Sequence, residues 1–207
     1  MIVIAWINFI IFNLSAVFLT YFYILSLTPT IREEKAKKLG KSGEKIWKNA
    51  TIYRNLGGIF EFIMIFNLIL WIWFPIPTLD WKIHPNFLVG LIIGIAILIP
   101  CGILLFKGVK DAGSETLKPS KETEIFKGIY KYIRHPQTVG EYPMFVAVCF
   151  MINSSFLVIY SSIFIVISVL ITIHFEEKDL EKRFGEKYLE YKKRTGAFFP
   201  KFWKKND

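Results

Sequence analysis

At 207 residues, with 53% of them apolar and a mean hydropathy of +0.41, the chain is too apolar, and its apolar residues too clustered, for a single water-soluble domain. The formal net charge of +9 does not point to nucleic acid, because Lys and Arg gather in three segments between apolar runs, as in membrane proteins whose basic loops stay in the cytoplasm. Cys101 and Cys149 lie inside apolar runs without ligand-like spacing, so neither a disulfide framework nor a metal site is indicated.

The first apolar run, Ile2 to Leu27, is not preceded by a basic segment and is expected to stay in the mature protein as a membrane span. A charged stretch from Ile31 to Asn55 follows, in which Leu39, Ile46 and Trp47 are interspersed, suited to lying along the membrane surface. The second span is expected from Leu56 to Thr78, with Glu61 about one turn inside it and Trp71, Trp73 and Trp81 at its outer end as headgroup anchors. An outer loop whose one cation is Lys82 leads to a third span, Asn86 to Phe106. Asn8, Asn13 and Asn67 are candidates for hydrogen bonds between spans.

A basic segment then runs to Arg134. The fourth span, Tyr142 to Met151, is short and begins beside Glu141 and Pro143, which suggests a broken or re-entrant entry. Only Ile152 to Ser155 separates it from the fifth span, Phe156 to Phe175, so the two form an antiparallel hairpin. Leu180, Phe184, Tyr188 and Tyr191 recur every three or four residues beyond it, the stripe of an amphipathic helix continuing the fifth span. The expected fold is therefore all-α and polytopic, with about five transmembrane helices and a C-terminal cytoplasmic amphipathic helix. It places the N-terminus outside and the C-terminus inside.

The hairpin brings two polar clusters to the cytoplasmic face: Tyr130 to Glu141 before it and His174 to Glu177 after it. Arg134, His135, Gln137 and Glu141 at the entry to a bilayer are costly unless they find partners, and Glu176 and Glu177 would supply them. Charge and spacing equally allow a plainer reading, in which Arg134 anchors the positive-inside face, His135 sits at the interface and the glutamates form a solvated turn.

The residues themselves carry a resemblance. Gly128-Ile129-Tyr130-Lys131-Tyr132-Ile133-Arg134-His135-Pro136, followed by Gly140, resembles the G-x-Y-x-x-x-R-H-P-x-x-x-G signature of the isoprenylcysteine carboxyl methyltransferase and phospholipid methyltransferase superfamily. Glu176-Glu177-x-x-Leu180, then Phe184-Gly185-x-x-Tyr188-x-x-Tyr191 and Pro200, is similar to the same family's ending. The resemblance covers roughly Asn86 to Phe202. It divides a single membrane domain into variable N-terminal spans over 1–85 and a methyltransferase core over 86–207. Thr138 stands where the family often has Tyr, which alters the pocket wall.

The resemblance implies a membrane methyltransferase that uses S-adenosylmethionine and releases S-adenosylhomocysteine, at a cytoplasmic site without a Rossmann fold. It implies catalytic roles for Arg134 and Glu177, and cofactor binding by Gly128, Tyr130, His135, Pro136, Gln137, Gly140, Glu176, Tyr188 and Tyr191. Membrane lipids and a lipid-like or prenylated small molecule are the expected partners, with no nucleic acid and no obligate protein. Carboxyl methylation of an isoprenylcysteine-type acceptor is favoured. Phospholipid amine N-methylation, a reductase-like activity and a non-catalytic scaffold are the alternatives.

Overall fold

A computed structural model describes residues 1–121 and 126–201, the side chain of Glu44 apart. The expected end of the resemblance at Phe202 lies outside the described residues. The chain forms seven α-helices among the described residues: α1 Ile2–Leu27, α2 Pro29–Lys38, α3 Glu44–Leu70, α4 Phe87–Ala112, α5 Pro136–Met151, α6 Ser155–Phe184 and α7 Glu186–Arg194. Isolated bridges, not strands, are the only extended pairings among them.

Four helices are long and apolar enough to cross a bilayer: α1, α3, α4 with its 3-10 extension to Thr116, and α6. Helix α5, at 16 residues, spans about 24 Å at 1.5 Å per residue and is shorter than the roughly 30 Å hydrocarbon core. It is the short fourth span of the hairpin. It is nevertheless continuous from Pro136, with Pro143 accommodated inside it, where a broken entry was expected. Large apolar side chains such as Ile92, Ile103, Phe106 and Ile163 project outward along the spans, as lipid-facing residues do.

Helix α3 begins twelve residues before the expected second span. Charges lower its local hydropathy, yet nothing between Glu44 and Asn55 breaks a helix. Helix α6 likewise runs past Phe175 to Phe184. There Gly185, at φ +57°, turns the chain, so the amphipathic stripe is divided between α6 and α7.

Because lipid tails are as apolar as the side chains they surround, helix association in a membrane depends on close packing and interhelical hydrogen bonds. Helix α1 packs along α3, and α4 along α5. On the α4–α5 contact, a Cβ at Gly94 would fall 2.6 Å from the Ala147 carbonyl oxygen, and one at Gly140 would fall 2.5 Å from the Leu105 nitrogen. Asn8 donates to the Asn67 carbonyl at 3.0 Å, joining α1 to α3, and Tyr160 of α6 donates to Asn13 of α1. Trp71 is no headgroup anchor. It is 3% exposed, stacked on Phe156 and edge-on to Phe9, because α3 ends at Leu70 and the following turn folds the indole inward. Trp73 and Trp81 remain exposed.

Candidate active site

Both motifs meet at the basic end of the bundle. Gly128 lies at φ +58°, tight against α4, where an added Cβ would come within 2.2 Å of Asp111 Oδ2; Asp111 accepts from the Ile129 N–H at 2.7 Å. This contact fixes the start of the Gly128–Lys131 turn. The end of the segment is held by the chain after α7: Arg134 N–H donates to Gly196 O at 2.8 Å, and His135 N–H to Ala197 O at 3.1 Å. The C-terminal stretch thus doubles back and pairs with the Arg-His-Pro run.

Glu177 is the hub. Its Oε1 accepts from Arg134 Nε at 2.9 Å and Nη2 at 2.6 Å and lies 3.1 Å from His135 Nε2, while Oε2 is 2.7 Å from Lys192 Nζ. Arg134 Nη1 donates to the carbonyls of Thr195, at 2.5 Å, and Lys192, at 3.3 Å. His135 Nδ1 is 3.1 Å from Glu176 Oε2. With a carboxylate at each ring nitrogen, both nitrogens are donors, which makes His135 an imidazolium. Burial opposes that charge, but Glu176 and Glu177 outweigh it and hold the imidazole up at about 9. The Lys192 ammonium is raised by its bonds to Glu177 and Glu181.

Beside this hub opens a cavity of about 890 Å³ of non-atom space, part of it continuous with solvent. Of the residues singled out from the sequence, Tyr130, Arg134, His135, Pro136, Gln137, Glu176, Tyr188 and Tyr191 line it, as does Thr138. Gly128, Gly140 and Glu177 do not: Gly128 and Gly140 make room for α4, and Glu177 lies behind the wall as the anchor of Arg134, His135 and Lys192. His174 is absent from the lining as well.

Most polar groups of the wall are already satisfied by the protein. Gln137 Nε2 donates to Tyr130 Oη at 2.9 Å and Thr116 Oγ1 at 3.0 Å, and Tyr191 Oη donates to the Tyr130 carbonyl at 2.6 Å. Two groups stand apart. Glu176 commits Oε2 to His135, and its other oxygen has no hydrogen-bond partner among the described residues. The Tyr188 hydroxyl is buried, the residue only 1% exposed, and it too lacks a partner among them. Burial pushes its phenol far above the ordinary value, so it remains a neutral donor. Leaving such a group unpaired costs about 1–3 kcal/mol, which sets Tyr188 apart from the satisfied groups around it.

The remaining wall combines aromatic and apolar residues with a few charged ones. Phe126 packs on Tyr191 at 4.7 Å and on Phe184 at 5.5 Å between ring centroids, faces suited to an adenine ring or a sulfonium cation. Sequence reasoning missed Tyr23 of α1 and Arg54 of α3, which also line the cavity. Arg54 donates to the carbonyls of Glu115 and Thr116 at 2.6 and 2.9 Å, fastening the end of α4 to α3. A cation one turn before an apolar run was the available signal, and it reads equally as a positive-inside anchor. Glu115 and Arg183, paired at 2.9 Å and both lining, carried no signal. Glu61 does not stand alone at the membrane edge but lies close to Glu141. No group of metal-ligating side chains occurs among the described residues.

The chain is thus a helical bundle with four membrane-length helices, in which an Arg-His-Pro segment is clamped to twin glutamates beside a cavity. Residues 89–187 match the phospholipid methyltransferase family, and the chain belongs to that superfamily of integral membrane methyltransferases. It is 32% identical over 152 residues to a methanethiol S-methyltransferase of Pseudomonas sp. strain GM41, covering 67% of this chain and 56% of that protein. It is 31% identical over 155 residues to the methanethiol S-methyltransferase of Pseudomonas deceptionensis, covering 66% and 55%. Methanethiol S-methyltransferase 1 of Bradyrhizobium diazoefficiens is 27% identical over 156 residues, covering 67% and 51%. The chain thus spans little more than half the length of these relatives.

Proposed function

We propose that the chain is an S-adenosylmethionine-dependent methyltransferase that methylates a sulfur acceptor at the basic, cytoplasmic face of the membrane. The observation that carries this reading is a pair of uncommitted groups on two residues that line the cavity, the second oxygen of Glu176 and the Tyr188 hydroxyl. They suit the donor's chemistry: a carboxylate for its ammonium or ribose hydroxyls, and a phenol for an acceptor atom. The aromatic rings of Phe126, Tyr188 and Tyr191 suit its adenine and sulfonium. When bound, the donor supplies an electrophilic methyl group.

The chain's own residues bind and orient. Arg134, His135 and Lys192 hold Glu177, and His135 in turn holds Glu176, so the ligand-facing carboxylate is fixed before anything binds. Tyr130 and Gln137 brace the wall, and the lipid-exposed spans keep water from the far side. The methyltransferase core of residues 86–207 supplies most of this site, and Tyr23 and Arg54 extend it into the N-terminal spans.

Sulfur is preferred to the carboxyl acceptor favoured by the sequence because Arg134 and Arg54, which would have held a carboxylate, are committed to Glu177 and to backbone carbonyls. The relatives' names agree with sulfur. The family description supports phospholipid amine methylation as a second reading. Membranes containing the protein, given donor labelled in the methyl group, distinguish the three. A small thioether leaves as volatile label, a methyl ester releases label only after base treatment, and an N-methyl lipid retains it through base. Volatile label is expected when a small thiol is added. Label confined to the base-labile or lipid-retained fraction overturns the sulfur reading.

A further inference from the structure

Another cavity, with about 530 Å³ of non-atom space and partly open to solvent, lies beside the first at the basic end of the bundle. Phe126, Lys131, Tyr191, Arg194 and Thr195 line it. Phe126 and Tyr191 line both spaces, so the two cavities share these rings as a partition.

Its charge is of one sign. Most cations around the site are already committed: Arg134 and Lys192 to Glu177, and Arg183 to Glu115. Lys131 and Arg194, by contrast, have no ion-pair partner among the described residues, and no acid lines the space they share. On α7, Lys187, Tyr191 and Arg194 follow at steps of four and three residues and so fall on one face, where Lys187 Nζ lies 5.7 Å from the Phe126 ring centroid and adds to the positive potential. A concave surface lined by one sign of charge concentrates its field on a counter-ion. The backbone that carries the two cations is fixed: Tyr191 Oη donates to the Tyr130 carbonyl at 2.6 Å, Thr195 Oγ1 to the Lys131 carbonyl at 3.5 Å, and Ile133 is bridged to Gly196.

We propose that this space holds the phosphate of an anionic membrane phospholipid, as a resident lipid and not as a methyl acceptor. An arginine fork beside a lysine point charge suits a phosphate. The surroundings favour a lipid over a free ion, because Tyr132, next to Lys131, is 64% exposed and Phe199, just beyond the Gly196 pairing, is 77% exposed. Exposed aromatic rings flanked by cations are what a segment lying at headgroup level presents to a bilayer. A net negative headgroup leaves no charge facing Lys131 and Arg194 unfavourably, whereas the choline of a zwitterionic lipid would. The inference goes beyond the proposed methyl transfer and does not depend on it.

The test titrates the full chain, in non-ionic detergent, with phosphatidylglycerol and separately with phosphatidylcholine, and native mass spectrometry reads the bound lipid. One phosphatidylglycerol is expected to bind about five-fold or more tightly than phosphatidylcholine. Lys131→Gln with Arg194→Gln is expected to weaken phosphatidylglycerol about ten-fold or more, while Lys45→Gln with Lys48→Gln, which removes the same charge from exposed positions on α3, changes it less than about two-fold. Lys131→Arg with Arg194→Lys keeps both charges and is expected to bind within about three-fold of wild type, which separates loss of charge from loss of fold. Equal losses in the two glutamine pairs would reduce the site to diffuse surface charge and overturn the proposal. So would equal affinity for the two lipids, or displacement of phosphatidylglycerol by millimolar inorganic phosphate, which would mark a site for the free ion.

Discussion

Replacing Glu176 and Glu177 by glutamine, one at a time, separates the two carboxylates by what each supports. Glu177 sits among three cations, with its side chain 12% exposed and that of Arg134 8%. Glu177→Gln leaves the Arg134 guanidinium buried without a counter-charge. Removing one partner of a buried pair costs about 3–5 kcal/mol, so this variant is expected to lose that much stability. Glu176 has one ion-pair partner among the described residues, His135, and a side chain 25% exposed. Glu176→Gln is therefore expected to cost less stability than Glu177→Gln, about 1–2 kcal/mol through weaker support of the His135 imidazolium, and to remove a charge-assisted hydrogen bond to the ligand of about 1.5–3 kcal/mol, roughly 10- to 100-fold in affinity. Denaturant unfolding of the reconstituted protein, followed by tryptophan fluorescence, measures the first quantity, and titration with S-adenosylhomocysteine measures the second. A Glu177→Gln variant as stable as wild type, paired with a Glu176→Gln variant of undiminished affinity, would refute the division.

Tyr188→Phe removes a buried hydroxyl that has no partner among the described residues, so stability in the absence of ligand should be unchanged or slightly higher, while S-adenosylhomocysteine affinity falls about 3- to 10-fold; equal affinity removes the hydroxyl from the site. The His135 imidazole, held at about 9 against an ordinary 6.5, contributes stability that is fully present below pH 6.5 and is lost as pH rises through 9. The ceiling on that contribution is about 3 kcal/mol, and thermal unfolding from pH 6 to 10 should show the decline in wild type and a flatter profile in His135→Gln. Gly140→Ala places its Cβ 2.5 Å from the Leu105 nitrogen and 2.8 Å from the Cys101 carbonyl oxygen and is expected to cost about 1–3 kcal/mol or more. Gly102→Ala, with open space around its Cβ, should be neutral or stabilising by about 0.5–1 kcal/mol, and thermal unfolding compares the two.

The spans were legible because a bilayer demands long apolar runs, and Ile2–Leu27 matches its expected bounds at both ends. The start of α3 was not, since a helix that leaves the membrane keeps its backbone hydrogen bonds while its composition turns polar. Trp71 shows the limit of residue-type rules: an indole near a span's end reads as an anchor until packing with Phe9 and Phe156 decides otherwise. Within the site, the motifs pointed to the right neighbourhood, and the cavity gathers eight of the eleven residues singled out. What spacing could not reveal was which carboxylate faces the cavity, because Glu176 and Glu177 are adjacent on one helix and only the positions of His135, Arg134 and Lys192 tell them apart. Tyr23 and Arg54 come from spans distant in sequence, where nothing but the folded bundle brings them near.

The pairing of Gly196 and Ala197 with the Arg-His-Pro run has a bearing on biogenesis. During vectorial synthesis helices α1 to α6 are all made before Gly196 and Ala197, which clamp Arg134 and His135, emerge from the ribosome. These helices can then enter the membrane while the cavity wall is still unmade, so a nascent chain halted just after α7 would hold its helices but lack the clamp.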